Sequence, residues 1–302
     1  MHFCTITTSD HYYKVFALCE SLQKFSSDFT LHVLVVERDL PHLIFPQIKK
    51  YHLSDIQQNT TANGIAAKYR KNADRLRWSM KPVFLKYLLA QPKIENVVYL
   101  DNDLFFYNDY RFLFNYFKEH SFLLTPHHYE RSPHQNQNML EANYRIGLFN
   151  AGFVGVRKDA ADTLQWWAEC CLYRCQKNSL RGLFDDQKYL DLIPIMHDNA
   201  LIIRHRGCNV AEWNRAICER IKVNGEVLIN GTYPIVFIHF NNSTIREIER
   251  GNDPLLEPYY QQYFRTLQKF KKELRLPHLF FLPKWVEVLK YKIWKTATNL
   301  DL

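Results

Sequence analysis

The sequence predicts an α/β protein: a mixed, mainly parallel sheet flanked by helices, followed by a basic helical tail. Two observations carry that reading. The chain opens with a strand, an amphipathic helix and a second strand. Later a short apolar run, Val97-Val98-Tyr99-Leu100, ends abruptly in Asp101-Asn102-Asp103. Such a run reads as a buried parallel strand whose carboxyl end enters a site, because ligands of open α/β sheets bind at strand ends.

The elements follow in order. Residues 3–7 alternate β-branched and apolar side chains and form strand one. Ser9-Asp10-His11-Tyr12-Tyr13 is a loop in which Ser9 or Asp10 caps the next helix. That helix carries Val15, Phe16, Leu18, Cys19, Leu22 and Phe25 at helical spacing. Residues 31–36 are strand two, and the crossover makes a right-handed βαβ unit. Residues 57–74 lack apolar periodicity and read as a loop or short mobile helix. Residues 78–89 read as one helix, with Pro82 near its first turn, where the missing N–H costs little. A short helix around Phe112–Phe117 and a strand at 122–124 come next. Residues 127–144 are polar and read as a long loop, which in a compact domain is usually functional or disordered. Residues 150–156 read as a Gly-bearing loop running into a strand, 164–173 as a helix, 185–190 as a short helix, 201–203 as a strand and 235–240 as the last core strand.

Composition narrows the function classes. The 302 residues are 47% hydrophobic and 15% aromatic, enough for a substantial core. No run of about eighteen apolar residues suggests a membrane span, and residues 1–7 do not resemble a signal peptide. Cys170, Cys171 and Cys175 sit in a helical pattern without metal-ligand spacing, so buried reduced thiols and a reducing cytoplasm are expected. Net charge is +8, and residues 265–302 hold nine Lys or Arg against three acids, so most of the excess lies in the tail. The nearly balanced remainder argues against a nucleic-acid-binding body.

Asp101 and Asp103, one residue apart at a strand end, can jointly hold a hard divalent cation, which would in turn hold a diphosphate. Four motifs then stand in order: Tyr99-Leu100-Asp101-Asn102-Asp103, Phe149-Asn150-Ala151-Gly152, Asp185-Asp186-Gln187 and Phe237-Ile238-His239-Phe240. Together, over roughly residues 1–245, they resemble the GT-A glycosyltransferases. They are most similar to the retaining galactosyl- and glucosyltransferases of the family that includes glycogenin and the lipooligosaccharide galactosyltransferases.

The resemblance implies roles. Asp101 and Asp103 would hold Mn²⁺ or Mg²⁺ on the phosphates of a UDP-sugar, with His239 as third ligand; a nitrogen ligand suits Mn²⁺. Ala151 and Gly152 would let the backbone approach the donor sugar, and Asn150 would offer its amide to sugar or acceptor hydroxyls. Asp186 would contact donor-sugar hydroxyls, and Gln187 would face the β side of the reacting sugar. Thr7, Asp10 and Tyr12 occupy the nucleotide-binding place, with Tyr13 as an alternative stacking partner for the base. Asn102 belongs to the donor-binding turn, and Lys81 aligns with a basic residue beside the donor. The sequence also departs from the family. Lys188 stands where a second acid often follows the glutamine. No Gly-x-x-Lys-Pro-Trp element follows His239, so Arg204, His205 or Arg206 would have to supply charge to the diphosphate. Residues 205–214 resemble an active-site segment of bacterial GT-A proteins.

The sequence therefore predicts a GT-A catalytic domain over 1–250 and a helical basic amphipathic extension over 251–302. From Trp285, apolar residues recur at Val286, Val288, Leu289, Ile293 and Trp294 among lysines, after the apolar Leu279-Phe280-Phe281-Leu282. That pattern suits an anionic membrane surface, or docking on the domain. The expected enzyme moves a hexose from a UDP-sugar to a cell-surface glycan or glycolipid with retention, in the cytoplasm at the inner face of the membrane. The rivals are an inverting enzyme with Glu212 or Asp185 as base, a metal-dependent phosphohydrolase, and a sugar-nucleotide-binding scaffold without catalysis.

Overall fold

Strands β1 (His2–Thr7) and β2 (Thr30–Val35) pair in parallel over their whole length, from His2 opposite Thr30 to Thr7 opposite Val35. The connecting helix α1 (Tyr12–Gln23) completes the expected βαβ unit. The computed structural model describes residues 1–37, 45–56 and 59–276. Further along lie β3 (Ile48–His52), α2 (Leu53–Ile56), α3 (Thr60–Tyr69), α4 (Ala73–Ser79), α5 (Lys81–Leu89), β4 (Asn96–Leu100), β5 (Leu104–Phe106), α6 (Phe112–Asn115) and β6 (Phe122–Pro126). After these come α7 (Gln137–Arg145), β7 (Phe149–Arg157), α8 (Ala161–Tyr173), α9 (Ile193–Met196) and β8 (Ala200–Ile202). The chain then continues through β9 (Arg220–Val223), β10 (Glu226–Ile229), β11 (Tyr233–Pro234), β12 (Phe237–His239), α10 (Asn242–Glu249) and α11 (Glu257–Glu273).

Seven strands form the main sheet in the order β3-β2-β1-β4-β7-β6-β8. The pairs from β3 to β4 and the β6–β8 pair are parallel, while β7 runs antiparallel to both β4 and β6. The sheet is thus mixed, as expected. Successive strand residues point to opposite faces, and both faces are buried. Phe3, Leu31, Val33, Val98, Leu100 and Phe153 pack on one side with α1 and α11. Cys4, Ile6, Leu34, Val97, Tyr99 and Val154 pack on the other with α5 and α8. Helix α11 buries Tyr260, Tyr263, Leu267 and Phe270 in the first of these cores. The described part of residues 251–302 therefore shares the core of the α/β body. The amphipathic helix expected over 279–302 lies outside the described residues. No described helix is long and apolar enough to cross a membrane.

The polar stretch 57–74 takes the helical one of its two expected alternatives, α3, capped by Asn59, whose side chain accepts from the N–H groups of Thr61 and Ala62. Other elements differ from expectation. The single helix expected over 78–89 is two, α4 and α5, broken at Met80, with Pro82 in the first turn of α5. The long loop after residue 127 contains α7, capped by Asn136. Asn150, Ala151 and Gly152 lie inside β7 rather than in a loop before it. Residues 237–239 pair antiparallel with β5 in a separate two-stranded sheet, not with the main one. Between them, β9 and β10 form a hairpin whose two-residue turn is Asn224-Gly225, both at positive φ. That dipeptide is a strong hairpin signal.

Buried histidines make the fold sensitive to acid. His32 is almost fully buried on β2, with one ring nitrogen 2.9 Å from the Tyr51 hydroxyl and the other 3.1 Å from His2. Burial, then repulsion from His2 and Lys49, pushes its pKa down to about 3. Above the ordinary histidine value both folded and unfolded chains are neutral at this site. Between that value and about 3 only the unfolded chain takes up the proton, so stability falls as pH falls. The slope is up to about 1.4 kcal/mol per pH unit for each such group. Urea unfolding from pH 7 to pH 4 should show this loss, and His32→Gln should make the dependence shallower. An unchanged slope in the variant would show that His32 already titrates normally.

Candidate active site

The main sheet and the small one meet at a turn. Beyond the end of β4 the Asp101 N–H still donates to Gly152 O at 2.8 Å, which carries the β4–β7 ladder one residue further. The chain then turns, with Leu104 N–H donating to Asp101 O at 3.2 Å, and enters β5. Strand β12 places His239 opposite Leu104, and Phe240 N–H donates to Asp103 O at 2.9 Å. The turn and the strand end are thus joined through backbone. His239 Nε2 lies 3.0 Å from Asp103 Oδ1 and 3.9 Å from Asp101 Oδ2. One ligand atom from each of Asp101, Asp103 and His239 falls within 4.8 Å of the others.

Electrostatics tie the three together. Burial raises the Asp103 carboxyl, but the charge and hydrogen bond of His239, with help from Lys14, outweigh it and hold Asp103 well below the usual carboxylate range. Burial likewise lowers His239, and Asp103 and Asp101 reverse the sign, so the imidazole is held above its ordinary value. His239 Nδ1 lies 3.3 Å from Asn209 Oδ1, and the Trp213 ring meets His239 edge-on at 5.3 Å. Two carboxylates and an oriented imidazole are a donor set that fits a divalent cation. The wall beside them has been cleared. A Cβ on Gly152 would lie 2.5 Å from His239 Cε1, 2.6 Å from Asn150 Oδ1 and 3.0 Å from Asp101 Oδ2.

A buried cation stands behind this cluster. Lys81, the first residue of α5, is 2% exposed. Its Nζ lies 3.1 Å from Asp186 Oδ2 and 3.4 Å from Asp101 Oδ1. It also donates to Ala151 O at 3.1 Å and sits 4.9 Å from the centre of the Tyr99 ring. Burial disfavours the ammonium, but Asp101 and Asp186 more than compensate and raise its pKa. For Asp186, burial together with Asp101 and Asp185 outweighs the attraction of Lys81 and lifts the carboxyl to about 6. The Tyr99 hydroxyl donates to Asp101 Oδ1 at 2.8 Å.

The structure therefore gathers Asp101, Asp103, His239, Lys81, Asp186, Ala151 and Gly152. Asn150 belongs to the same wall, and both ends of its carboxamide have protein partners: Oδ1 accepts from Gly152 N–H at 3.0 Å, and Nδ2 lies 3.2 Å from His127 Nε2. Asn102 is buried and donates to the Thr7 hydroxyl at 3.2 Å, joining the ends of β4 and β1. Gln187 is half-buried, with Nε2 3.4 Å from Ile146 O. Lys188 turns to Asp191 at 2.7 Å. Asp10 is exposed and takes a hydrogen bond from the Thr8 hydroxyl.

Tyr12 does not fit the stacking role expected of it. Its ring is fully buried beside Phe16, one helical turn on, at 5.8 Å between centroids. Of the two, Tyr13 is the one whose hydroxyl responds to charges of the site: burial raises it, and Asp10 and Asp103 add to that. Arg204, His205 and Arg206 do not supply charge to the cluster through any contact among the described residues. Arg206 meets His128 at 2.7 Å, and the His205 ring packs on Phe112 and Tyr233. Besides Lys81, positive charge reaches the site from Lys14, acting on Asp103, and from Arg77, which is ion-paired with Asp74 and also interacts with Asp10 and Asp101. The sequence signalled Asn209 and Trp213 only through the segment 205–214. Nothing in the sequence pattern singled out the Tyr99 hydroxyl or His127.

No family model matches the chain. The uncharacterised Bacillus subtilis (strain 168) protein YfnF is 28% identical over 274 residues, which is 86% of this chain and 90% of that protein. Among solved structures, the galactosyltransferase LgtC, in complex with donor and acceptor sugar analogues, superposes with a TM-score of 0.53 at 12% identity, over 94% of this chain and 98% of that one. Mouse xyloside xylosyltransferase 1 does so with a TM-score of 0.50 at 15% identity, over 80% and 98%. The chain has the GT-A fold that these glycosyltransferases share.

The close packing at Gly152 gives a direct test. Gly152→Ala should push His239 and Asn150 apart and weaken any divalent-cation binding at the cluster by at least about tenfold, because real Cβ contacts do not reach 2.5 Å. Calorimetric titration with Mn²⁺, alongside thermal unfolding of the same variant, is the measurement. Wild-type affinity in the variant would show that the glycine is not what keeps the three ligand atoms together.

Proposed function

We propose that this protein is a metal-dependent glycosyltransferase that moves a hexose from a UDP-sugar to a cell-surface glycan or glycolipid, with retention of configuration. The observation that carries the proposal is the Asp101–Asp103–His239 cluster, which stands at the strand ends of a GT-A fold. A divalent ion held there supplies Lewis acidity to the departing diphosphate. The remaining work falls to the protein's own groups. Lys14 and Arg77 offer positive charge on the nucleotide side, where the family's lysine after the histidine is missing. Thr7, Asp10 and Tyr13 line the approach for the base and ribose. Lys81 fixes Asp186 and the Ala151 carbonyl, so that Asp186 meets donor-sugar hydroxyls in one orientation. Gln187 faces the reacting carbon and Asn150 shapes the wall beside it.

A second reading rests on Glu212. Burial raises its carboxyl above the ordinary value, and its charge is felt at His239. A carboxyl in that state beside the site is a candidate general base for an inverting transfer. Asp185, the other candidate, lies toward Lys177, 3.8 Å away.

Calorimetry with UDP should show Mn²⁺-dependent binding, and Asp103→Ala should weaken it by at least about a hundredfold with little change in melting temperature. Equal affinity in the variant would remove the metal from the proposal. A donor screen by UDP release then identifies the sugar. NMR of the first-formed product should show the donor's anomeric configuration kept; an inverted product would transfer the assignment to Glu212.

The same proposal places the enzyme at the inner face of the cell membrane, through the lysine-flanked apolar residues of 279–302. Each Lys or Arg near an anionic surface contributes about 1 kcal/mol. Flotation with anionic vesicles should fall on removal of residues 279–302 and on addition of salt. Undiminished flotation together with a large loss of thermal stability would mean that the segment packs on the domain instead.

A further inference from the structure

A cleft of ≈ 890 Å³ opens between the segment carrying Glu130, the turn of Glu212 and Trp213, and helix α10. It adjoins the metal-type cluster, because Trp213 forms part of its lining and also packs edge-on against His239. The cleft walls carry three acids, and each is already engaged. Glu130 accepts from the N–H groups of Arg131 and Ser132 at 2.7 and 2.8 Å. Glu212 accepts from the Thr244 hydroxyl. Glu247 is held by Arg250 at 3.1 Å and Asn252 at 2.7 Å.

The donors of the same walls are not engaged in that way. Arg215 donates to the carbonyl of Asn252, and Arg246 to the hydroxyl of Ser243 at 3.1 Å. Both partners are neutral, and neither arginine has a carboxylate in ion-pair range among the described residues. Trp213 is 8% exposed, and its Nε1–H is itself closed to solvent, with no acceptor among the described residues. At the start of α10 the N–H groups of Ser243 and Thr244 are taken by the Asn241 side chain. What the cleft has left to offer is two guanidinium groups, the Asn242 carboxamide and the exposed part of the Trp213 ring. That inventory suits a sugar bearing a negative charge.

We infer that this cleft seats the acceptor, and that the acceptor is an acidic sugar whose carboxylate or phosphate lies on Arg215 and Arg246. The inference rests on the glycosyltransferase reading for the word acceptor; the selectivity for a charged sugar rests on the cleft alone. It also gives the geometry a purpose. A sugar held against Trp213 lies across one ring from His239, and so beside the site assigned to the donor.

The test uses the full chain with ¹⁵N-labelled tryptophan. The sequence has six tryptophans, and Trp213→Phe identifies the Trp213 indole resonance. D-glucuronate, glucose 6-phosphate, glucose and inorganic phosphate are titrated separately. The expected result is a saturable shift of that resonance with one or both acidic sugars and none with glucose; the pair of acidic sugars tells a carboxylate site from a phosphate site. Arg215→Ala and Arg246→Ala, both at exposed positions, should each weaken the binding by about tenfold, and Arg246→Glu should abolish it. An equal shift with glucose would overturn the charge selectivity. Inorganic phosphate matching glucose 6-phosphate would overturn the sugar assignment, and no shift with any titrant would overturn the site. Titration of the wild-type protein with UDP and Mn²⁺ separates the two readings: absent UDP binding defeats the glycosyltransferase reading, whereas the indole titration reports on the cleft in either case.

Discussion

The ammonium of Lys81 holds together parts of the chain that are far apart in sequence. It reaches Asp101 at the end of β4, the carbonyl of Ala151 in β7 and Asp186 before the short helix that carries Gln187. A buried ion pair of this kind adds little net stability, because desolvating the charges offsets most of their attraction. Its effect is to specify geometry. With Lys81 in place, the three segments have one arrangement that leaves no buried charge alone. Removal of the ammonium would leave two carboxylates facing each other behind the cluster.

Strand β7 is the second constraint. It runs antiparallel between β4 and β6, so its amino end lies against the carboxyl end of β4. This brings Asn150, Ala151 and Gly152 to the same edge as Asp101. Gly152 is the one residue of that strand where a side chain would collide with His239, Asn150 and Asp101 together. A parallel strand in the same position would present its carboxyl end there instead. The mixed sheet is therefore what lets an Asn-Ala-Gly segment serve as the floor of the site.

The sequence made these relations partly legible. The strand ending in Asp101-Asn102-Asp103 and the βαβ opening follow from apolar runs and periodicity, and the structure has both. The elements that escaped notice have polar sequences. Helix α7 buries only Ala142, and β3 is an edge strand reading Ile48-Lys49-Lys50-Tyr51-His52. Edge strands carry lysines that discourage further pairing, and this blurs the alternation that would reveal them. The Asn224-Gly225 turn, by contrast, is a hairpin signal that the sequence does carry. Tyr12 shows a different limit. Its position beside Tyr13 in a loop-to-helix junction made either ring eligible, and only the helix phase, which pairs Tyr12 with Phe16, decides which one turns inward. The contribution of Lys14 and Arg77 was hidden for a related reason. Their charges reach Asp103 and Asp101 from separate helices, and no sequence spacing encodes that.

Exposure orders the charges of the site. Lys81 and Asp186 are shut into the wall, with side chains 3% and 4% exposed, while Asp101 and Asp103 keep 28% and 21%. The inner pair is almost closed to solvent, and the Lys81 ammonium acts only on its protein neighbours. The outer pair can meet a ligand. Asp101 belongs to both sets, since one oxygen faces Lys81 and Tyr99 and the other faces His239. With Oδ1 already held from behind, Oδ2 is left in one direction, toward the space it shares with Asp103 and His239. A carboxylate so restrained loses little freedom when a cation arrives. The buried lysine and tyrosine would thus favour a cation at Asp101 without touching it, by removing the alternatives that an unrestrained carboxylate would otherwise explore.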